Sequence, residues 1–556
     1  MASTSLPSDT GPGSSDSGSL FARRSSGLVR AFSTWDGFIY CIYGDSIIAA
    51  AALTYAVGNG FTRANIPLGI VIVCLAFMPA FTVYAMLATI MPRAGGDYVW
   101  QSRVLGGFWG FVLVFGPFMI GPWFYMASNV LPGATLVTAP LLVTFGNVLN
   151  LQWLLNLASW VVTQNGQFTF FLFYTAFAFM VVALGLRFYA RFQRWSFYIG
   201  CVGIASWVVI LLLTSHADFV NSFNTYMQQV LNWGDGHAYQ QVLADASKAG
   251  YQPVAFGNTD LKDTLLIGPV LAYTFLFVMW SSNLSGEISG LGDFKRSLRM
   301  YLGANLFAML VCAGFVWLLI DRISNEFFQS SNFIAATAGS STIPVTPLYS
   351  LFLITLGHNP LITLWIALTF SAWFWIWPTN NFVGSTRYMF AMSFDRMLPS
   401  HLSRVFGRNS VPIYALALAA VGMVIFGYLF YYTSFATLTL DLPLFASFAI
   451  SGTCLAGALM PYMKSSREIY ASSPISKYKL AGVPLITVMG VLSLLYFAFM
   501  FFMYITDARY GVNSTVGYEF ALALAAVGAI VYFGFKYYRK RQGVDVTRTY
   551  HEIPVD

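Results

Sequence analysis

The sequence predicts an all-α integral membrane protein of twelve transmembrane helices. Three observations lead there. Of its 556 residues, 57% are hydrophobic and 9% charged, against about 25% charged in soluble domains. The apolar residues gather into twelve segments, at roughly 33–58, 65–91, 107–138, 168–186, 194–214, 264–292, 300–321, 361–394, 411–430, 436–462, 482–504 and 516–536. Most have the roughly 20-residue length that a helix needs to cross the hydrocarbon core. They lack the alternation of barrel strands, and helices pair their own backbone groups in lipid. They are called spans 1 to 12 below.

The third observation is the placement of the basic residues. Of the 29 Lys and Arg, 24 fall in the N-terminal tail, in or beside the loops after spans 2, 4, 6, 8 and 10, or in the C-terminal tail. Examples are Arg93 and Arg103, Arg187 to Arg194, Lys295 to Arg299, Arg396 to Arg408, and Lys536 to Arg541. The opposite loops hold only Arg63, Lys248, Lys262, Arg322 and Arg509. The positive-inside rule then puts both termini in the cytoplasm, with the chain in the cytoplasmic membrane. The net charge of +7 is thus a topology signal, and no nucleic-acid partner is expected.

Residues 1–28, rich in Ser, Gly, Pro and Asp, read as a disordered cytoplasmic tail. Span 1 carries Tyr43-Gly44-Asp45-Ser46 in its middle, where a carboxylate costs at least about 2.5–3.5 kcal/mol. Spans 2 to 5 follow, with Gly121 in span 3. Residues 215–263 form a long polar outer loop, either short helices over a vestibule or connectors. Span 6 contains "FVMWSSNLSGEISG", Phe277 to Gly290. Ser281, Ser282, Asn283 and the glycines suit an unwound stretch exposing backbone groups to a cavity. Span 8 holds "SAWFWIWPTNN", Ser371 to Asn381. Asp441 in span 10 is another intramembrane acid. The five cysteines lie in apolar stretches without CxxC spacing, so neither disulfides nor a metal site is expected. No HExxH, GxSxG or P-loop motif points to an enzyme, and no cofactor is called for.

Spans 1 and 6 are interrupted at corresponding places five spans apart, the spacing of an inverted five-helix repeat. Their texts echo: Tyr43-Gly44-Asp45-Ser46 and Trp280-Ser281-Ser282-Asn283. Paired broken helices point to a transporter's substrate site.

The loop after span 2 reads "MPRAGGDYVWQSRVLGG", and the end of span 8 reads "STRYMFAMSFDRMLPSHLSRVFGRNSVPIYAL". The first resembles the P-x-A-G-G-x-Y-x-x-x-R-x-x-G stretch of amino acid–polyamine–organocation permeases, through Pro92, Ala94, Gly95, Gly96, Tyr98, Arg103 and Gly106. The second is similar to that family's S-R-x-x-x-A-M-x-x-D-x-x-L-P signature, through Arg387, Ala391, Met392, Asp395, Leu398 and Pro399. The resemblance implies a leucine-transporter-like fold with two inverted five-helix repeats plus two further helices. Residues 29–214 would form the first repeat, 215–263 the extracellular loop, 264–462 the second repeat, 463–536 the two additional helices and 537–556 the cytoplasmic C-tail. It implies alternating access around a mid-membrane site that takes amino acids or related amines. The sequence departs from the family where G-S-G is replaced by Gly44-Asp45-Ser46, where Glu287 stands alone, and where span 5 has no lysine.

The candidate substrate site is therefore Tyr43, Gly44, Asp45, Ser46 and Ile47 of span 1, Trp280, Ser281, Ser282 and Asn283 of span 6, and Gly121. N–H groups from Ser46 to Ile48 would hold a carboxylate, and carbonyls near Ile42–Tyr43 an ammonium group. Three roles are open to Asp45: N-cap of the second half-helix, receptor for an ammonium or coupling cation, or proton carrier. Coupling to H+ or to Na+ is open; Asp45, Thr379, Asn380 and Ser385 are the candidates. Gating candidates are Asp36, Glu287, Arg387 and Trp377. Asp36 is either a helix N-terminal charge or a gate to Arg387 or a basic loop. Glu287 either starts a half-helix or pairs at an inner gate. A polyamine or organic-cation carrier, a sensor that kept the fold, and a channel are the other readings. The substrate, its direction of transport and the oligomeric state are not legible in the sequence.

Overall fold

The computed structural model describes residues 28–56, 60–336, 349–357, 359–407, 410–510 and 515–551. The N-terminal tail reading, the middle of the 322–360 loop and the side chain of Asp441 lie outside what is described. Among the described residues the chain is helical but for a two-residue hairpin at Lys479–Leu480 and Val483–Pro484. Among the described residues nine helices are long and apolar enough to cross a membrane. Spans 1, 8 and 10 are absent from that set. The first two are broken into shorter pieces, and in span 10 the helix Asp441–Leu459 follows a 3-10 turn.

Span 1 breaks at a single residue. Helices Thr34–Asp45 and Ile47–Ala56 meet at Ser46, whose φ of 57° lies in the left-handed region. Ser46 closes one helix and opens the next. Its N–H donates to the Ile42 carbonyl, and its hydroxyl accepts from Ala49 N–H at 3.1 Å. The N-cap role considered for Asp45 therefore belongs to Ser46. Gly44 is required by packing: a Cβ there would lie 2.4 Å from the Phe277 carbonyl oxygen.

Span 6 runs from Leu261 to Leu284, and its last eight residues, Phe277–Leu284, are a 3-10 helix. The second half-helix expected through Gly290 does not form. Residues 285–293 turn directly into the helix Phe294–Ile323, so Glu287 sits in a turn and starts no helix. Tight 3-10 winding near functional sites is usually short, and here it ends in the Ser- and Gly-rich stretch.

Span 8, expected to be continuous, breaks as well. Helix Pro360–Ser371 ends, residues 372–379 turn, and helix Asn380–Phe394 resumes. Pro378 lacks the N–H that would continue the ladder. Span 3 is longer than expected, continuous from Gly107 to Leu149. It contains π-helical turns at Phe115–Ile120 and Gly133–Thr138. Prolines 117, 122, 132 and 140 lie in or beside these turns and remove ladder donors.

The long outer loop is helical, with His216–Leu231 and Ala238–Lys248. A capping box between Ser215 and Asp218 starts the first of these. These helices share an aromatic cluster with the 322–360 region, in which Tyr239 stacks on Phe327 at 4.3 Å and Phe219 meets Phe352 edge-on.

Candidate substrate cavity and its inner seal

A small cavity lies where the three broken spans meet span 3. Span 1 contributes Tyr43, Gly44, Asp45 and Ala49, and span 3 contributes Tyr125 and Asn129. Tyr273, Phe277 and Trp280 come from span 6, and Trp377, Asn380 and Asn381 from span 8. Its volume is about 40 Å³. A water needs at least ~10–15 Å³ on this measure, so the space suits about three waters. Anything the size of an amino acid requires the walls to move.

The wall is chemically lopsided: it carries one carboxylate, six aromatic rings and no basic side chain. Both carboxylate oxygens of Asp45 are buried without a side-chain partner and face the Phe277 and Val278 backbone amides, while the Tyr125 hydroxyl and Asn380 Nδ2 are buried and unpaired. Leaving such groups unpaired costs about 1–3 kcal/mol each, more for a charge, so the site is built for a guest or for water. The Asp45 carbonyl is satisfied by the Thr274 hydroxyl. Trp280 stands edge-on to Phe118 and Phe277, and its indole N–H reaches the Asn380 carbonyl at 3.3 Å.

Among the described residues, the other buried acids are partnered. Glu287 receives Arg387 Nε and Nη2 at 2.9 and 3.1 Å. Asp395 receives Arg103 Nη1 and Nη2 at 2.5 and 2.9 Å. Asp36 accepts from Ser33 in a capping box and pairs with Arg194 at 2.8 Å. Asp97 accepts hydroxyls from Tyr84, Ser282, Tyr388 and Thr453. Those four come from spans 2, 6, 8 and 10, so one carboxylate ties four spans to the loop after span 2. The strand-like residue Phe32 pairs with the turn after span 6 through Phe32 N–H to Glu287 O and Ser289 N–H to Phe32 O. Tyr550 of the C-terminal tail lies over Arg103, 5.6 Å from guanidinium to ring centre.

The family model described as "Amino acid permease" matches residues 32–532. The chain belongs to the amino acid permease family. The match takes in every element around the cavity. No curated protein matches the chain.

In the permease, Tyr43, Gly44, Asp45 and Trp280 meet at the cavity, with Asn380 and Trp377 opposite. The other sequence candidates lie elsewhere. Ile47 lines a separate apolar cavity with Trp207 and Phe315. Ser281 accepts the Cys41 thiol at 3.2 Å, Ser282 serves Asp97, and Asn283 bonds the Trp280 carbonyl. These three therefore face the protein interior. Gly121 lies beside Tyr125 without lining the cavity. Thr379, Asn380 and Ser385 do not converge. Thr379 pairs with Tyr174 at 3.1 Å, whereas Ser385 accepts from Trp123 at 2.9 Å and donates to Met119 O at 2.7 Å.

Of the N–H groups expected to receive a carboxylate at the start of the second half of span 1, that of Ser46 is spent on the Ile42 carbonyl. Asp36 pairs with Arg194, whereas Arg387 pairs with Glu287. Sequence reasoning missed Tyr125, Asn129, Tyr273, Phe277 and Asn381, which enter the wall only through packing. It also missed Asp97, although an acid directly after Gly95-Gly96 was a usable signal. A Cβ on Gly96 would lie 2.5 Å from the Ser282 carbonyl oxygen, so that glycine lets Asp97 approach span 6.

Proposed function

We propose that this permease is a secondary active transporter carrying amino acids or related amines across the cytoplasmic membrane by alternating access, coupled to an ion or to exchange. The observation that carries the reading is the small cavity between spans 1, 3, 6 and 8, with a buried carboxylate that lacks a side-chain partner at a helix break. The Glu287–Arg387 pair and the Asp97 hub seal the inner side, and opening inward separates them. Both termini face the cytoplasm in this reading, as the basic-residue asymmetry supports. Uptake into proteoliposomes, measured over a panel of labelled amino acids and amines with and without pH and sodium gradients, tests it. No flux of any panel member, in protein shown to be folded, overturns it. Ligand-induced stabilisation without flux would instead mark a sensor.

Within that class, the wall favours amines over zwitterions. A carboxylate among aromatic faces attracts a cation, and the wall carries no cationic side chain to receive a substrate carboxylate. Competition between each amino acid and its decarboxylated amine is the discriminating measurement. Amines should compete more strongly, and Asp45→Asn should abolish the difference. Equal competition by both in the wild type sinks the amine preference while leaving transport standing.

A further inference from the structure

The inner end of span 12 carries a groove that the transport cycle described above does not use. It is about 480 Å³ and runs between span 12 and the segment Pro399–His401. Val531, Gly534, Phe535 and Tyr538 line it at the i, i+3, i+4, i+7 spacing of one helix face. Arg539 closes its end, roughly 12 Å along the axis from Val531 at about 1.5 Å per residue. The groove therefore changes along its length from apolar and aromatic to cationic.

The charge at that end is not neutralised within the chain. Arg539 donates to the carbonyls of Arg396 and Leu398 at 3.1 and 3.5 Å and to Gln542 Oε1 at 3.0 Å. All three acceptors are neutral, and among the described residues no carboxylate pairs with Arg539. The neighbouring Asp395 is engaged by Arg103. His401 lies across the groove, and Lys540 and Arg541 follow on the same last turn. An anion is the complementary occupant. The apolar run leading to it fits an acyl chain, since span 12 is largely exposed on its outer face, with Ile530 71% and Phe533 55% exposed.

We propose that this groove binds one anionic phospholipid of the inner leaflet, its phosphate against Arg539 and His401 and an acyl chain along Val531, Gly534 and Phe535. Basic pockets beside transmembrane helices on the cytoplasmic side recognise such headgroups. The site joins span 12 to the loop that carries Asp395, so its occupant braces the inner seal.

The test uses the full-length protein, purified in detergent and stripped of lipid, with phosphatidylglycerol, phosphatidylcholine or inorganic phosphate added. Thermal stability and native mass spectrometry are the readouts. One retained phosphatidylglycerol and a melting temperature raised by it alone are expected. Arg539→Gln should weaken the half-saturation by about fivefold, the weight of one basic residue at an anionic surface. Gly534→Leu should weaken it as well. A Cβ at Gly534 meets nothing within 4 Å, so leucine fills the groove without disturbing packing or charge. Lys540→Gln, outside the lining, should leave it unchanged. Equal stabilisation by phosphatidylcholine or by inorganic phosphate overturns the proposal. So does a Lys540→Gln effect as large as that of Arg539→Gln, or a Gly534→Leu variant that binds like the wild type.

Discussion

Asp45 and Asp395 are both about as buried as a carboxylate can be, at 2% and 1% exposure, yet their surroundings are opposite. Asp395 sits in a bidentate grip from Arg103. Asp45 has no side-chain partner for either oxygen, only the backbone amides of Phe277 and Val278 beside it. The inner acids Glu287, Asp36 and Asp97 side with Asp395. A partnered acid fixes the structure around it, whereas an unpartnered one on a cavity wall leaves its interaction energy for a guest. The contrast separates residues that seal from residues that bind, which burial alone does not.

Removing one partner of a sealed pair should have the largest effect on stability. Arg103→Ala leaves Asp395 buried and uncompensated, and also strips the cation–π contact to Tyr550. A loss of about 3–5 kcal/mol is expected, read as a collapse of the melting temperature. Arg103→Met combined with Asp395→Leu should recover much of it, because an apolar pair removes both charges. Near-wild-type stability of Arg103→Ala alone would erase the distinction drawn here.

Glu287→Gln also leaves a buried charge, Arg387, without its counter-ion, but the amide oxygen still accepts one N–H, so the loss should lie at the lower end of about 3–5 kcal/mol. Because Arg387 and Glu287 border the inner cavity near Val29 and Arg187, this variant should also react faster with a cytoplasmic thiol reagent at an engineered Val29→Cys. Unchanged labelling would show that the pair is not part of the seal.

Asp45→Asn should leave stability unchanged or slightly raised, because it removes a buried charge that has no side-chain counter-ion. Amine binding should fall to the level of the matching amino acid. A large drop in melting temperature would mean that Asp45 has a structural partner after all.

The smallest effect is expected in the loop after span 11, where Arg509 donates three hydrogen bonds to Asp507. Those bonds hold the Asp507 carboxyl below its usual range. A depressed carboxylate contributes stability above its unfolded pKa and loses it as pH falls through the folded one. The wild type should therefore lose a slight advantage over Asp507→Asn on acidification below about pH 4. Because both groups are largely solvated, the difference should be small and screened by salt.

The helical membrane fold was legible because lipid imposes simple demands: apolar runs of fixed length and paired backbone groups. The break at Ser46 was legible because a polar triplet interrupts an apolar run. The break in span 8 was signalled only by Pro378, and the run of tryptophans masked it by keeping the segment apolar. Within the site, Asp45 and Trp280 stood out by residue type. Asn129, Tyr273 and Asn381 did not, because a polar residue on a buried helix reads alike whether it faces a neighbour or a cavity.

The sequence alone determined what had to be embedded, that span 1 had to break near its middle, and that a carboxylate lay at that break. Composition and local backbone chemistry decide these. Only the tertiary structure decided which acids are paired. It moved the cap from Asp45 to Ser46 and turned Ser281, Ser282 and Asn283 inward. It also set Asp45 on a cavity wall that carries no basic side chain. Pairing depends on which spans meet, and partners such as Arg103 and Asp395, 292 residues apart, are brought together only by packing.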